Sequence, residues 1–141
     1  MNEQIEKELI QKAMEMTKLS YAPYSGYHVG AALLATNGVI YTGCNIENAS
    51  YGATNCAERT AFFKAVSEGV KDFEAIAIVG APADEAAENT FSEYAYPCGI
   101  CRQVMQEFCK KDFRIIVAKS MEDYQKYTLS ELLPFGFGGI Q

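Results

Sequence analysis

Residues 28–44 read HVGAALLATNGVIYTGC, and this stretch indicates what kind of sheet the chain forms. Its two runs, 28–35 and 39–44, are strand-like, and they meet at Asn37-Gly38, a dipeptide that favours a tight hairpin turn. The two strands of a hairpin are antiparallel. A sheet that also contains strands joined through helices is therefore mixed.

Outside the hairpin, helical and strand-like segments alternate along the chain. This alternation predicts an α/β fold, a three-layer α/β/α arrangement with helices packed on both faces of a mixed central sheet. An acidic stretch, 82–96, has no clear period and is expected to form a loop. The spacing of apolar residues predicts helices over 2–20, 55–69, 97–111 and 128–133, and short apolar runs predict strands over 75–79 and 113–118.

Length and composition limit the kinds of protein that this chain can be. A chain of 141 residues is expected to form one domain, spanning 1–141, and 49% hydrophobic with 21% charged residues is typical of globular proteins. The net charge is -6, and the densest basic cluster is Lys110 and Lys111. Such a surface has little to attract a phosphate backbone, so we expect no nucleic-acid partner.

The beginning of the chain and its hydropathy predict the compartment. Residues 1–8 mix acidic and basic side chains, unlike a secretory signal, and no apolar run reaches the length of a transmembrane helix. We therefore expect a cytoplasmic protein without a membrane partner. Cysteines usually stay reduced there, so the five cysteines indicate metal binding, catalysis or core packing rather than disulfides.

Two short cysteine-containing segments suggest a catalytic metal centre. Residues 55–58 are Asn-Cys-Ala-Glu, residues 97–101 are Pro-Cys-Gly-Ile-Cys, and each segment opens a predicted helix. Cys56, Cys98 and Cys101 would supply three thiolates to Zn²⁺ and leave its fourth tetrahedral position for water, whereas a structural site normally has four protein ligands. Helix N-termini stabilise thiolates, which suits this task.

Charged residues next to the cysteines have candidate roles in the same centre. Side chains tilt toward the helix N-terminus, so Glu58 can overhang the same helix end as Cys56 and reach a bound water. Three thiolates outweigh the charge of Zn²⁺ and leave a net charge of -1. Arg59 and Arg102, each adjacent to a cysteine, are the candidates for donating hydrogen bonds to sulfur.

Each of these residues also has a purely structural interpretation. Cys101 fits the buried stripe of its helix, and Glu58 could form a capping box with Asn55 as the N-cap. A Cys-x-x-Cys pair such as Cys98 and Cys101 is by itself only a weak indication of redox chemistry. The joint occurrence of both segments, in this order and both at helix starts, is what favours the zinc centre.

The remaining cysteines and the single histidine allow one non-enzymatic alternative. Cys44 and Cys109 are expected to pack in the core, and His28 begins a strand. If Cys44 or His28 supplied a fourth ligand, the chain would be a noncatalytic binding module that zinc stabilises. A thiol redox protein is a further alternative.

Several segments of the sequence, beyond the zinc motif alone, are distinctive: Tyr21-Ala-Pro-Tyr-Ser, Val29-Gly-Ala-Ala, Gly43-Cys-Asn-Ile-Glu-Asn, Cys56-Ala-Glu-Arg-Thr, Pro97-Cys-Gly-Ile-Cys-Arg-Gln and Glu131-Leu-Leu-Pro. In these segments, and along nearly its whole length, the chain resembles the small homotetrameric zinc-dependent cytidine deaminases.

The resemblance implies an activity and assigns roles to residues. It implies a zinc enzyme of pyrimidine salvage that hydrolyses the 4-amino group of cytidine and deoxycytidine, with Glu58 moving protons. It implies that Asn45 and Glu47 bind the ribose hydroxyls, and that Tyr27 packs against the pyrimidine where the family usually has Phe. It also implies a homotetramer in which Phe137 reaches a neighbouring subunit's site.

Two departures from the family pattern affect the expected substrate range. The stretch 82–96 is longer and more acidic than usual, and Tyr96 stands where a small hydroxyl residue often precedes the Pro-Cys pair. A blasticidin-type deaminase is the nearest alternative, although residues 45–48 fit a nucleoside better. Nucleotide and tRNA-editing deaminases usually have histidine as the first ligand and need basic residues for phosphate.

Overall fold

The computed structural model describes residues 1–138, which form one five-stranded sheet and the helices around it. In chain order the elements are α1 (Glu3–Met16), β1 (Tyr27–Ala35), β2 (Ile40–Cys44), α2 (Ala57–Ser67), β3 (Phe73–Pro82), α3 (Ala83–Ala87), α4 (Gly99–Phe108), β4 (Arg114–Ala118), β5 (Tyr124–Thr128) and α5 (Leu129–Leu132). Single 3₁₀ turns follow α1 and precede α2.

The sheet is mixed, and its strand order is β2-β1-β3-β4-β5. β1 is antiparallel to both β2 and β3, β3 is parallel to β4, and β5 returns antiparallel along β4. The predicted hairpin at Asn37-Gly38 is present, with Gly38 at φ +90°, a conformation that glycine adopts without strain. The α/β class and the mixed sheet predicted from the sequence are confirmed.

Helices cover both faces of the sheet, and each face has its own apolar core. α1 packs on one face through Leu9, Ile10 and Ala13. α2 and α4 pack on the other face, where Phe62 and Met105 are fully buried. The result is the predicted three-layer arrangement, which places the N-termini of α2 and α4 on the same side of the sheet.

Two glycines allow the helices to approach the sheet closely. A Cβ atom built on Gly30 would lie 1.9 Å from the carbonyl oxygen of Ala13 in α1. On Gly43 it would lie 2.4 Å from the carbonyl oxygen of Ala57, the first residue of α2. A larger residue at position 43 would therefore displace α2 and its N-cap, Cys56.

Parts of the chain differ from the sequence prediction. β5 was not predicted, β3 extends to Pro82, and 82–96 is not a continuous loop, because it contains α3 and the buried side chain of Phe91. The predicted helices begin and end a few residues inside their expected limits, since 3₁₀ turns and caps occupy their ends.

β5 is fixed to α1 through a buried carboxylate. Glu6, 3% exposed, accepts hydrogen bonds from the Tyr124 hydroxyl at 3.0 Å and the Lys126 ammonium at 3.1 Å. This pairing explains how a strand with mostly polar residues holds its place at the edge of the sheet. Within residues 1–138, no helix is both long enough and apolar enough to cross a membrane.

Candidate active site

Two of the three candidate zinc ligands are helix N-caps. Cys56 precedes α2 and Cys98 precedes α4, both with extended backbone and neither using its side chain to cap the helix. Cys101 lies in the first turn of α4 and is 1% exposed. The two helix N-termini therefore face one region, and the positive ends of their dipoles favour thiolates there.

The three sulfur atoms are spaced as zinc requires. The Sγ atoms of Cys56 and Cys98 are 3.8 Å apart, those of Cys98 and Cys101 are 3.6 Å apart, and all three lie within 4.8 Å of one another. A tetrahedral zinc ion with Zn–S bonds of about 2.3 Å holds its sulfur ligands about 3.8 Å apart. The donor set and its spacing both fit Zn²⁺.

Neither candidate for a fourth protein ligand joins this cluster. The Nδ1 atom of His28 lies 2.9 Å from the carbonyl oxygen of Thr17, and the Cys44 thiol points to the carbonyl oxygen of Leu19. Over residues 1–138, the group of side chains close enough to share an ion consists of the three cysteines alone. The arrangement therefore corresponds to an open site with three protein ligands, the kind that serves catalysis.

Glu58 is the buried acid of the site. It is the second residue of α2, lines the same cavity as Cys56, and is 3% exposed. Burial raises the pKa of its carboxyl group to about 7, a range suited to taking up and releasing protons near neutral pH. The capping box considered for Asn55 and Glu58 does not form, because Cys56 is the N-cap and the Asn55 amide donates to Thr60 Oγ1 at 3.2 Å.

Arg59 contacts the sulfur cluster directly. Its guanidinium donates a hydrogen bond to Cys56 Sγ at 3.2 Å. The pKa of Cys56 is lowered to about 5, because a hydrogen bond with Cys101 and the contact with Arg59 stabilise the thiolate. The interaction with the Cys56 thiolate and burial raise the pKa of Cys101.

Arg102, the second expected donor to sulfur, does not contact the cysteines. Its guanidinium donates to the carbonyl oxygens of Pro97 at 2.8 Å and Leu132 at 2.7 Å. The expectation from adjacency was wrong because the side chain of Arg102 is directed toward the end of α5. It stabilises the backbone around α4 instead.

A cavity of about 290 Å³ opens beside the cysteines and Glu58. The predicted substrate-binding residues Tyr27, Asn45 and Glu47 all line it. The structure thus brings the candidate zinc ligands and the predicted substrate-binding residues into one cavity. Its volume is suited to a small molecule.

Glu47 is held by the turn that precedes β1. One carboxylate oxygen accepts hydrogen bonds from the backbone N–H groups of Tyr24 at 2.9 Å and Ser25 at 3.1 Å, and the other accepts from the Ser25 hydroxyl. These bonds, above all the one from the Ser25 side chain, lower the pKa of Glu47. The carboxylate is therefore a fixed, ionised acceptor at the rim of the cavity.

Asn45 is buried, and two hydrogen bonds to the backbone use part of the hydrogen-bonding capacity of its side-chain amide. Its Oδ1 accepts from the Val29 N–H at 2.9 Å, and its Nδ2 donates to the Tyr27 carbonyl oxygen at 2.8 Å. One amide hydrogen and one lone pair stay free for a ligand. Asn45 thus combines the structural role expected of a strand exit with a free edge toward the cavity.

Tyr27 and Phe137 lie in very different surroundings. The Tyr27 ring is half-buried in the cavity wall against Gly80, where an added Cβ would come within 2.9 Å of the ring. The side chain of Phe137 is 77% exposed, and its carbonyl oxygen accepts a hydrogen bond from Gln103 of α4. Within one chain, Phe137 has no place in the cavity.

Ser25 and Gln125, for which the sequence predicts no role, hold site residues in place. Ser25 belongs to the segment 21–25 that carries the family resemblance, but the amino-acid sequence alone does not show that its hydroxyl contacts Glu47. Gln125 lies on β5, the strand that was not predicted, and accepts a hydrogen bond from Tyr96. Both contacts are made across long stretches of chain, so local patterns do not reveal them.

Comparison with known proteins agrees with this geometry. Residues 3–117 match the family model described as "Cytidine and deoxycytidylate deaminase zinc-binding region". The chain belongs to this family. The match includes all three cysteines of the cluster and Glu58.

Named relatives and a solved structure are similar over most of the chain. A cytidine deaminase of Halalkalibacterium halodurans is 50% identical over 92% of this chain and 91% of the relative, and one of Sporosarcina psychrophila is 48% identical over 93% and 90%. The crystal structure of a cytidine deaminase from Burkholderia pseudomallei matches with a TM-score of 0.80 and 41% identity, covering 92% of this chain and 97% of that one. A blasticidin-S deaminase of Bacillus cereus is 32% identical over 92% and 90%.

Proposed function

We propose that this protein is a cytidine deaminase, which converts cytidine and deoxycytidine with water into uridine and deoxyuridine and releases ammonia. The observation that carries the proposal is the cluster of three sulfur atoms, within 4.8 Å of one another, beside the buried carboxyl of Glu58 in a cavity of about 290 Å³. Relatives that are 48–50% identical carry this name.

Cys56, Cys98 and Cys101 would hold one zinc ion and leave one tetrahedral position open. When bound, zinc lowers the pKa of a water molecule from 15.7 toward about 7 and so makes a nucleophile available near neutral pH. Arg59 would offset part of the negative charge of the three thiolates through its contact with Cys56 Sγ.

Glu58 would carry the protons of the reaction. Its carboxylate first accepts the proton that the attacking water loses and then delivers it to N3 of the cytosine ring. A second proton, released by the hydroxyl group now on C4 as it becomes the carbonyl of the product, passes through the same carboxylate to the 4-amino nitrogen, and the bond from C4 to this nitrogen breaks to release ammonia. Burial keeps bulk water from competing for these protons and holds the carboxyl near the pKa that such transfers require.

Residues at the other end of the cavity would bind the sugar and the base. The fixed carboxylate of Glu47 offers an acceptor and the free amide hydrogen of Asn45 offers a donor, which is what ribose hydroxyls need. The Tyr27 ring would pack against the pyrimidine.

The proposal includes the assembly and the cellular role. We place the enzyme in the cytoplasm, in the salvage of pyrimidine nucleosides, as a homotetramer in which Phe137 reaches the site of a neighbouring subunit. The wide exposure of Phe137, together with an anchored backbone at that position, supports such a contact.

Substrate comparison tests the proposal. The zinc-loaded protein is incubated with cytidine, deoxycytidine, deoxycytidine monophosphate and blasticidin S, and ammonia release is followed for each, with Glu58→Gln as the matched blank. We expect kcat/KM for both nucleosides to exceed that for the other two compounds by at least about tenfold. Faster turnover of blasticidin S than of cytidine would assign the chain to the blasticidin-S deaminases instead.

A further inference from the structure

Tyr96 has no part in the mechanism above, although it faces the same cavity. It lies directly before Pro97 and Cys98 in the chain, and it lines the cavity together with Cys56 and Glu58. It is 48% exposed. The Tyr96 ring is large and planar, and about half of its surface is accessible beside Cys56 and Glu58. It can therefore contact a ligand in the cavity.

The ring of Tyr96 is fixed from the side of β5. Its hydroxyl donates to Gln125 Oε1 at 2.8 Å, and the Tyr127 hydroxyl donates to the same oxygen at 2.7 Å. The rings of Tyr96 and Tyr127 meet edge to face with centroids 6.1 Å apart, and the centroid of the Tyr94 ring lies 6.4 Å from that of Tyr96. Tyr96 is thus a supported wall of the cavity rather than a freely rotating side chain.

The strand order places this wall opposite the proposed sugar site. Asn45 and Glu47 follow β2, which is one edge of the sheet, whereas Gln125 lies on β5, the other edge. The cavity between them is lined by Glu47 and by Tyr96. The two residues therefore bound the cavity on the sides toward opposite edges of the sheet.

The chemistry of cytosine then determines which edge of the base meets Tyr96. The ring atom N1 carries the sugar, and C4, the atom that reacts, lies across the ring from N1. With the sugar at Asn45 and Glu47, the axis from N1 to C4 points toward the β5 side. Because N3 carries no substituent, the groups that can extend toward Tyr96 from this end of the ring are the 4-amino group and any substituent on C5.

We infer that Tyr96 is a specificity-determining residue that limits the size of substituents on the 4-amino group and on C5 of the base. The inference rests on the proposed function, because it takes its orientation from the sugar site. A small residue at position 96 would leave room at this edge, whereas the supported ring of Tyr96 excludes it.

Methylated substrates test the inference. The ratio of kcat/KM for 5-methylcytidine to that for cytidine, and the same ratio for N4-methylcytidine, are measured for the native enzyme, Tyr96→Ser and Tyr96→Val. A methyl group against a fixed wall changes discrimination by about 10- to 200-fold. We expect at least one of the two ratios to rise by about tenfold or more in both variants.

Tyr127→Phe is the matched control. It removes one hydroxyl from the same Gln125 oxygen but leaves the Tyr96 ring and its hydrogen bond in place. We expect its ratios to stay within about twofold of the native values. Both kcat/KM values in a ratio are measured on the same preparation. A loss of folded enzyme in a variant therefore lowers both values equally and does not change their ratio.

Different results would overturn the role of Tyr96 and the proposed function. If all variants turn over cytidine and neither ratio rises in Tyr96→Ser or Tyr96→Val, the assignment of Tyr96 is overturned and the proposed function stands. If the native, zinc-loaded enzyme releases no ammonia from cytidine, the proposed function is overturned, and the assignment of Tyr96 with it.

Discussion

Within residues 1–138, Arg59 is the only cationic side chain that contacts the sulfur cluster, and its replacement by glutamine removes that charge. The guanidinium lies 3.2 Å from Cys56 Sγ, and a hydrogen bond to a charged partner contributes about 1.5–3 kcal/mol. This energy corresponds to about 10- to 150-fold in affinity. Because Arg59 is partly exposed, we expect zinc affinity to fall by the lower part of this range, about 10- to 50-fold.

A competition titration with a chromophoric zinc chelator measures this change directly and does not depend on turnover. Arg102→Gln is the matched control, because Arg102 is also adjacent to a cysteine but donates to the carbonyl oxygens of Pro97 and Leu132. We expect Arg102→Gln to lower the unfolding temperature and to change zinc affinity by less than about threefold. Unchanged zinc affinity and unchanged turnover in Arg59→Gln would refute the role of this contact.

Three further substitutions, the last with a matched control variant, test the roles of Glu58, Ser25 and Gly43. Glu58→Gln keeps the shape of the buried side chain but cannot accept and release a proton. We expect kcat to fall by about 10²- to 10⁴-fold while the zinc content per chain stays the same. Turnover within threefold of the native enzyme would exclude the proton-transfer role of Glu58. Ser25→Ala removes the hydroxyl that fixes Glu47 and should raise KM for cytidine by about fivefold, since one hydrogen bond is lost and two remain; an unchanged KM would speak against it. Gly43→Ala places a Cβ 2.4 Å from a backbone oxygen of α2 and should lower the free energy of unfolding by about 1–3 kcal/mol. Gly52→Ala, with nothing within 4 Å of the new Cβ, should change it by less than about 0.5 kcal/mol in the same urea titration.

The parts of the fold that local patterns predict are those with strong hydrophobic periodicity or clear turn chemistry. The hairpin at Asn37-Gly38 and the helices that begin near Cys56 and Cys98 are examples. β5 was missed because its sequence, YQKYT, contains no aliphatic residue. Its position depends on pairing with β4 and on the distant carboxylate of Glu6, which no local window contains.

The candidate site was predictable where short segments of sequence contain the residues that carry the chemistry. Cys56, Cys98 and Cys101 do come together, because each stands at or within the first turn of a helix and both helix starts lie on one side of the sheet. Arg102 is adjacent to Cys101 in sequence, but this adjacency did not predict its contacts. The direction of a long side chain depends on partners such as Leu132, which only the fold brings near.

The absorption spectrum at the zinc K-edge tests the central claim most directly. We expect about one zinc ion per chain, with three sulfur ligands at about 2.3 Å and one oxygen ligand from exchangeable water at about 2.0 Å. Zinc bound by four protein ligands, or a purified active enzyme without stoichiometric metal, would contradict it.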